Sequence, residues 1–486
     1  MPDLDLVIRG GTVVTATDTV RCDVGVRGER VVALAEALPQ AARELDATGK
    51  LVLPGGVDSH CHIEQISSFG VMNADDFYSG SVSAAFGGTT TVIPFAAQHH
   101  GDSMRKVVAD YRERATKAVV DYAFHMIVTD PSEQVLQEEL PGLIREGYSS
   151  LKLFMTYDPM KLDDGQMLDL LALARREGAM VSVHAENHAM IAWMVRHLLE
   201  RGYDAPKYHA ISHPRVAETE AVNRLISMAE LLDQPVMIFH VSAAASVAAI
   251  ESAQARGLKI FAETCPQYVL LTASDLDKPG FEGAKWVFSP PARDAADQDA
   301  IWRGLRHGTL QVVSSDHAPF RFDETGKLAR SPEPTFKEIA NGMPGLELRL
   351  PLMFSEGVSK KRLDLNRLVE LGCTNPAKIY GLHPQKGTIA VGSDADIAIW
   401  DPEKAVELTD ETTHDATNYC PYTGLTVTGW PTTVIARGEV IVDRGELLAE
   451  RGRGRFLARP AGAAAKPTGR LVPELDPGRN FGATIL

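Results

Sequence analysis

His60 and His62 stand two residues apart in Gly55-Gly56-Val57-Asp58-Ser59-His60-Cys61-His62. The apolar run just upstream, Leu51-Val52-Leu53-Pro54, reads as a short buried strand. In a strand, positions i and i+2 share a face, so both imidazoles can reach one ion. Such a pair is half of a site for a borderline cation such as zinc. Cys61 between them faces the other way and reads as packing. Further candidates lie downstream: Lys152 in Ser150-Leu151-Lys152-Leu153-Phe154, His184 in Val183-His184-Ala185-Glu186, His240 in Ile238-Phe239-His240-Val241-Ser242, and Asp316 in Ser314-Ser315-Asp316-His317-Ala318-Pro319. Taken singly, each has an ordinary explanation: a surface His-x-His pair, core histidines satisfied by hydrogen bonds, a helix-capping aspartate.

Lys152 weighs most. An ammonium among apolar strand residues is costly to bury. Either it pairs with a carboxylate or snorkels outward, or its desolvation is used. A buried lysine has a depressed pKa and becomes a nucleophilic amine. That amine can add carbon dioxide to form a carbamate, a carboxylate on a long arm able to bridge two cations. Four histidines, the carbamate and Asp316 then furnish mixed nitrogen and oxygen ligands for two metal ions.

The elements that must position these groups repeat one theme, a short apolar strand followed by a helix. Eight strand candidates occur in order: 51–64, 89–97, 121–129, 149–158, 179–187, 234–243, 259–269 and 310–320. Helical patterns such as Met167–Glu177 and Glu218–Leu232 separate them. This alternation predicts an α/β fold, a parallel (β/α)8 TIM barrel. The rival, an open doubly wound sheet, lacks its Gly-x-Gly-x-x-Gly turn. Most of the candidate residues fall at the C-terminal ends of these strands, which converge on one mouth in a closed barrel. Before and after the barrel the texture changes to short strands and turns, as in Leu6–Val14, Val24–Val32, Gly387–Gly392, Ala395–Trp400 and Thr433–Val440. These predict one β-sandwich assembled from both termini. The expected division is sandwich over 1–54 and 383–460, catalytic barrel over 55–382, and an extended tail over 461–486 lying on a neighbour or mobile.

The 486 residues exceed one ordinary core, in keeping with a large and a small domain. A net charge of −15 disfavours nucleic acid and anionic membrane as partners. No apolar stretch reaches membrane-spanning length, and Met1-Pro2-Asp3-Leu4-Asp5 lacks a signal pattern. Five scattered cysteines suit a reducing cytoplasm.

With these residues in hand, the chain resembles the dihydropyrimidinase and D-hydantoinase (cyclic amidase) branch of the amidohydrolase superfamily. The segments that carry the likeness are 55–62, Ala85–Ile93, Lys152–Tyr157, Val183–Asn187, Glu263–Tyr268, Ser315–Phe320 and Asn341–Glu347. The resemblance implies two divalent metal ions, taken as zinc, bridged by N6-carboxylated Lys152 and a hydroxide. It assigns His60, His62 and Asp316 to one ion, and His184 and His240 to the other. It also implies that Tyr157 reaches the attacked carbonyl and that Ser289 and Asn341 contact the ring amide, partly through backbone atoms. The implied assembly is a homodimer or homotetramer. The chain departs from the family at Ala318, at Glu64–Met72, at His99-His100 and at Asp158-Pro159-Met160. The last three resemble the lids that hold the ring's exocyclic substituent.

The expected reaction is hydrolysis of a cyclic amide, a dihydropyrimidine or hydantoin, to an N-carbamoyl amino acid. Hydroxide attacks a carbonyl polarised by metal and Tyr157, and Asp316 carries the proton to the leaving nitrogen. Dihydroorotase-like relatives commonly carry Arg two places after the second histidine; Glu64 stands there, which disfavours a carboxylate-bearing ring. An allantoinase or another cyclic ureide or imide hydrolase is the alternative. A collapsin-response-mediator-like scaffold without catalysis is disfavoured, because all six ligand positions hold competent residue types.

Overall fold

The computed structural model describes residues 4–67 and 70–486, so Met1–Asp3 of the amino-terminal reading and Ser68 and Phe69 of the Glu64–Met72 loop lie outside the described residues. Eight parallel strands form the barrel: β1 (Gly56–Cys61), β2 (Thr89–Ala97), β3 (His125–Ile127), β4 (Ser150–Phe154), β5 (Met180–His184), β6 (Val236–Ile238), β7 (Ile260–Thr264) and β8 (Val312–Val313). Each pairs in parallel with the next. The ring closes where Cys61 bridges His317 and the His62 N–H donates to the His317 carbonyl at 2.6 Å. The TIM-barrel expectation therefore holds. Helices such as Asp164–Glu177, Arg215–Leu232 and Ala295–His307 form the outer layer.

The first candidate strand divides in two. Leu51–Pro54 pairs antiparallel with Ile397–Trp400 and parallel with Thr12–Val13, in a different sheet from the barrel. Gly55 is the crossing point. A Cβ there would lie 2.2 Å from Thr90 Oγ1, so only glycine lets the chain pass from one sheet into the other. The remaining candidates contain shorter strands, because each run also includes the polar turn after its strand. The extreme case is 310–320, of which only Val312–Val313 is strand.

The second sheet system has four strands (Leu6–Arg9, Asp23–Arg27, Arg30–Ala35, Arg43–Asp46) facing a seven-stranded sheet built from both ends of the chain. Period-two alternation divides the residues of the shared strands between two cores. Ile397, Ile399, Val52 and Ile435 pack into the sandwich interior, while Ala398, Trp400, Leu53 and Val434 belong to the barrel's core cluster. Gly387–Gly392, expected as a strand, is a turn with left-handed glycines at both ends, φ 77° and 98°. A buried charge cluster joins the two bodies: Lys386 Nζ lies 2.7 Å from Asp121, 2.8 Å from Asp396 and 3.0 Å from Asp394.

Much of the expected tail lies along the chain's own barrel. Just before it, the fully buried Arg459 donates from Nη2 to Ser150 Oγ at 2.8 Å. Within it, Lys259 Nζ donates to the Lys466 carbonyl at 2.7 Å, and Asp233 accepts from the Thr468 N–H at 3.0 Å. Backbone groups of the tail are thus satisfied by side chains of the barrel, which holds it in place without regular structure. Phe481, Ile485 and Leu486 at the end are exposed.

Candidate active site

The barrel mouth is a cavity lined by His60, His62, Lys152, Tyr157, His184, His240, Ser289, Asp316 and Asn341, so every site residue read from the sequence faces one space. The elements explain how. β1 delivers His60 and, one step past its end, His62. β4 delivers Lys152 at its centre, β5 ends on His184, and the turns after β6 and β8 present His240 and Asp316. Three of these residues have left-handed backbones despite carrying a Cβ: Tyr157 (φ 71°), His240 (φ 40°) and Asp316 (φ 48°). Such conformations are unfavourable for ordinary side chains and concentrate where geometry serves function. Here each turns a side chain inward as its strand ends.

The imidazoles are oriented from behind. His60 Nδ1 bonds Glu263, which leaves Nε2 facing Asp316 Oδ1 at 3.0 Å. His62 Nδ1 bonds Gln65 Oε1 at 2.8 Å, leaving Nε2 3.4 Å from the same Asp316 oxygen. His184 Nε2 bonds Glu186 Oε2 at 2.7 Å, so the ring is anchored through that nitrogen. His240 Nδ1 is buried with no hydrogen-bond partner among the described residues. A buried ring nitrogen without a partner is costly, and its ring lies 4.3 Å from that of His184 and 5.4 Å from that of His60. Donor atoms of His60, His240 and Asp316 all lie within 4.8 Å of one another. Imidazoles held from behind and a carboxylate, with donor atoms converging on the same space, fit a divalent cation.

The electrostatics agree. Burial lowers His62, His184 and His240, keeping them neutral and able to donate a lone pair. Burial opposes charge on His60 too, but Asp316 and Glu263 raise it. Burial alone would raise the Asp316 carboxyl; His60 and His62 hold it well below the usual carboxylate range. Lys152 is fully enclosed, its Nζ 4.1 Å from the Phe239 ring centre and 4.7 Å from that of Phe154. Burial lowers its pKa to about 7, with Asp316 and Glu263 opposing the shift. Burial and the nearby Glu186 push the Tyr157 hydroxyl upward, so it stays protonated.

Ser289 Oγ lies 3.2 Å from His209 Nε2 and 3.4 Å from His213 Nε2, and the Asn341 Oδ1 is buried without a partner among the described residues. Gln65, Ser67, Met160 and Ala318, positions of departure in the sequence, line the cavity. His99 and His100 do not. Both are exposed, because the chain turns outward after Gln98, whose side chain is tied to the backbone of residues 129 and 130. Glu64 also points elsewhere: its carboxylate accepts from the Phe77 N–H at 3.2 Å and pairs with Lys117 at 2.9 Å. Reading the sequence missed Gln65, Glu186 and Glu263 as orienting partners. Glu263, a carboxylate on an apolar strand, carried the same signal as Lys152.

The amidohydrolase family model matches residues 51–441. The chain is 42% identical to a D-hydantoinase from Ralstonia pickettii over 458 residues, covering 94% of this chain and 99% of that one. It is 41% identical to a D-hydantoinase from Geobacillus stearothermophilus, covering 93% and 96%. The crystal structure of a dihydropyrimidinase from Brevibacillus agri superposes with a TM-score of 0.91 at 42% identity, covering 94% and 99%. A barrel whose mouth gathers four histidines, a desolvated lysine and an aspartate, matched along nearly its whole length, places the chain in the amidohydrolase family, beside the hydantoinases and dihydropyrimidinases.

Proposed function

We propose that the protein hydrolyses a cyclic amide, opening a hydantoin or dihydropyrimidine ring to an N-carbamoyl amino acid. The observation that carries this reading is the convergence of His60, His62, His184, His240, Lys152 and Asp316 on one cavity, with donor atoms of His60, His240 and Asp316 within 4.8 Å of one another. The four histidines and Asp316 are the residues that would hold two divalent cations, taken as zinc. Lys152, with its amine lowered to about 7, would add carbon dioxide with loss of a proton and so offer a carboxylate ligand as its carbamate. Bound there, the cations supply Lewis acidity that makes water nucleophilic near neutral pH and polarises the ring carbonyl.

The remaining steps belong to the chain's own groups. Asp316, held ionised, accepts a proton from the attacking water and returns it to the ring nitrogen as the C–N bond breaks. Tyr157, held protonated, donates to the carbonyl oxygen as that oxygen gains charge. Ser289 and Asn341 hold the ring amide. Glu263, Gln65 and Glu186 hold the imidazoles in the orientations described above. Residues 55–382 form the catalytic domain in this reading, with 1–54 and 383–460 as the sandwich and 461–486 as the tail. Among the described residues no helix is long and apolar enough to cross a membrane. All five cysteines are free, which supports a cytoplasmic setting. The exposed Trp193, Ile211 and Val216 support a homodimer or homotetramer.

The test is turnover of dihydrouracil, hydantoin, a 5-aryl hydantoin and allantoin by metal-loaded protein, with Lys152→Ala alongside. Ring opening that the variant abolishes is expected. No opening of any ring by protein carrying two metals per chain would overturn the ring assignment.

A further inference from the structure

Lys327 is fully buried in the loop that follows Asp316, and it belongs to none of the groups considered so far. Among the described residues no carboxylate pairs with it. Its Nζ instead donates to three backbone carbonyls: Val287 at 2.8 Å, Ala340 at 2.8 Å and Gly342. Three acceptors need three N–H groups, which an ammonium has and a neutral amine lacks. Burial pulls the other way and lowers its pKa. The carbonyl oxygens are what hold the charge in place.

The identity of those carbonyls matters. Two flank Asn341, one on each side. The third immediately precedes Phe288 and Ser289, and it also accepts from the Gly342 N–H at 3.0 Å. Phe288, Ser289, Asn341 and Gly342 all line the cavity; Lys327 does not. These peptide bonds are trans, since the cis bonds fall at Ser289-Pro290 and His383-Pro384. In a trans peptide the C=O and the following N–H point in opposite directions. With the Ala340 carbonyl turned onto the buried ammonium, the Asn341 N–H points away from Lys327, and Asn341 lines the cavity. The Phe288 N–H is directed by the same rule through the Val287 carbonyl.

We infer that Lys327 is a positioning residue that orients the backbone at Val287 and at Ala340–Gly342, so that the Asn341 N–H is presented to a carbonyl oxygen of the substrate ring. This rests on the ring-opening reading of the site. The cation also polarises the Ala340 peptide, which makes its N–H a stronger donor. Hydantoin and dihydropyrimidine rings carry a second carbonyl besides the one attacked, and a contact there is kept from substrate to transition state, so its loss weakens both alike.

The test compares wild type with Lys327→Met and with Lys327→Gln, which keeps an amide donor. Metal content and thermal midpoint are recorded for each. Lys327→Met is expected to raise KM about tenfold, the value of one well-made hydrogen bond, with kcat changed little. Lys327→Gln should fall between. A purely structural role would lower the fraction of active protein with KM unchanged, and that result would overturn the inference. Backbone amide exchange gives a readout independent of turnover: residues 287–288 and 340–343 should exchange faster in the variants than in wild type, and equal exchange would overturn it. Should neither variant fold, the Asn341 amide in wild-type holoenzyme should gain protection when N-carbamoylglycine is added; no gain would overturn the assignment. If wild type opens no ring, the function proposed above fails, and the exchange comparison still decides whether Lys327 holds these segments.

Discussion

The Lys152 ammonium lies 4.1 Å from the ring centre of Phe239, the residue immediately before His240. The ring that desolvates the amine and the imidazole that faces the metal site are therefore neighbours on one strand end. Phe239 also stacks on His60 at 4.1 Å between ring centres. One side chain thus sets the dielectric around the amine and limits the movement of an imidazole. The chemistry of the mouth depends on this dry floor as much as on the polar groups above it.

Glu263→Gln should preserve the shape behind His60 while removing the charge that orients its ring. Partners of this kind contribute on the order of 10–100-fold to metal affinity or activity. Metal content after dialysis against a weak chelator, measured beside wild type, checks the prediction. Equal retention would show that the contact only packs.

Tyr157→Phe removes the hydroxyl and leaves the ring, 5.1 Å between ring centres from His184, in place. A donor aimed at a developing oxyanion contributes on the order of 10²–10³ in kcat. Steady-state kinetics on the best ring of the panel should show that loss, with the metal content unchanged.

His209 is buried, donates to the Phe288 carbonyl at 2.9 Å, and has its pKa lowered to about 4 by burial. Between pH 6.5 and about 4 the unfolded chain protonates this residue and the native chain does not. The unfolded state binds more protons there, so stability falls as the pH drops through that window. A shift of this size corresponds to roughly 3 kcal/mol, fully expressed below about pH 4. Urea unfolding from pH 7 to 4 should show a shallower decline for His209→Gln than for wild type.

Lys386→Met leaves Asp121, Asp394 and Asp396 without their shared cation at the junction of barrel and sandwich. Breaking a buried ion cluster from one side costs about 3–5 kcal/mol. Arg437, 3.1 Å from Asp121, offsets part of this. Denaturant titration should place the loss toward the lower end of that range.

How much of this was legible in the sequence follows from the range of each interaction. Strand–helix alternation, the His60/His62 spacing and the lysine among apolar residues are local patterns, and periodicity along the chain determined them. That the barrel closes, bringing His60 beside Asp316 from opposite ends of the domain, follows from the strand order once eight such units are counted. What only the tertiary structure decided are contacts between distant segments with no local signature. Leu51–Pro54 leaves the barrel because Ile397–Trp400 offers it an antiparallel partner. Glu263 finds His60 across the barrel, and the Lys327 ammonium is assigned by three carbonyls that any sequence would supply. Every residue carries a backbone carbonyl, so which of them converge on one cation is determined by the path of the chain and by no side chain in it.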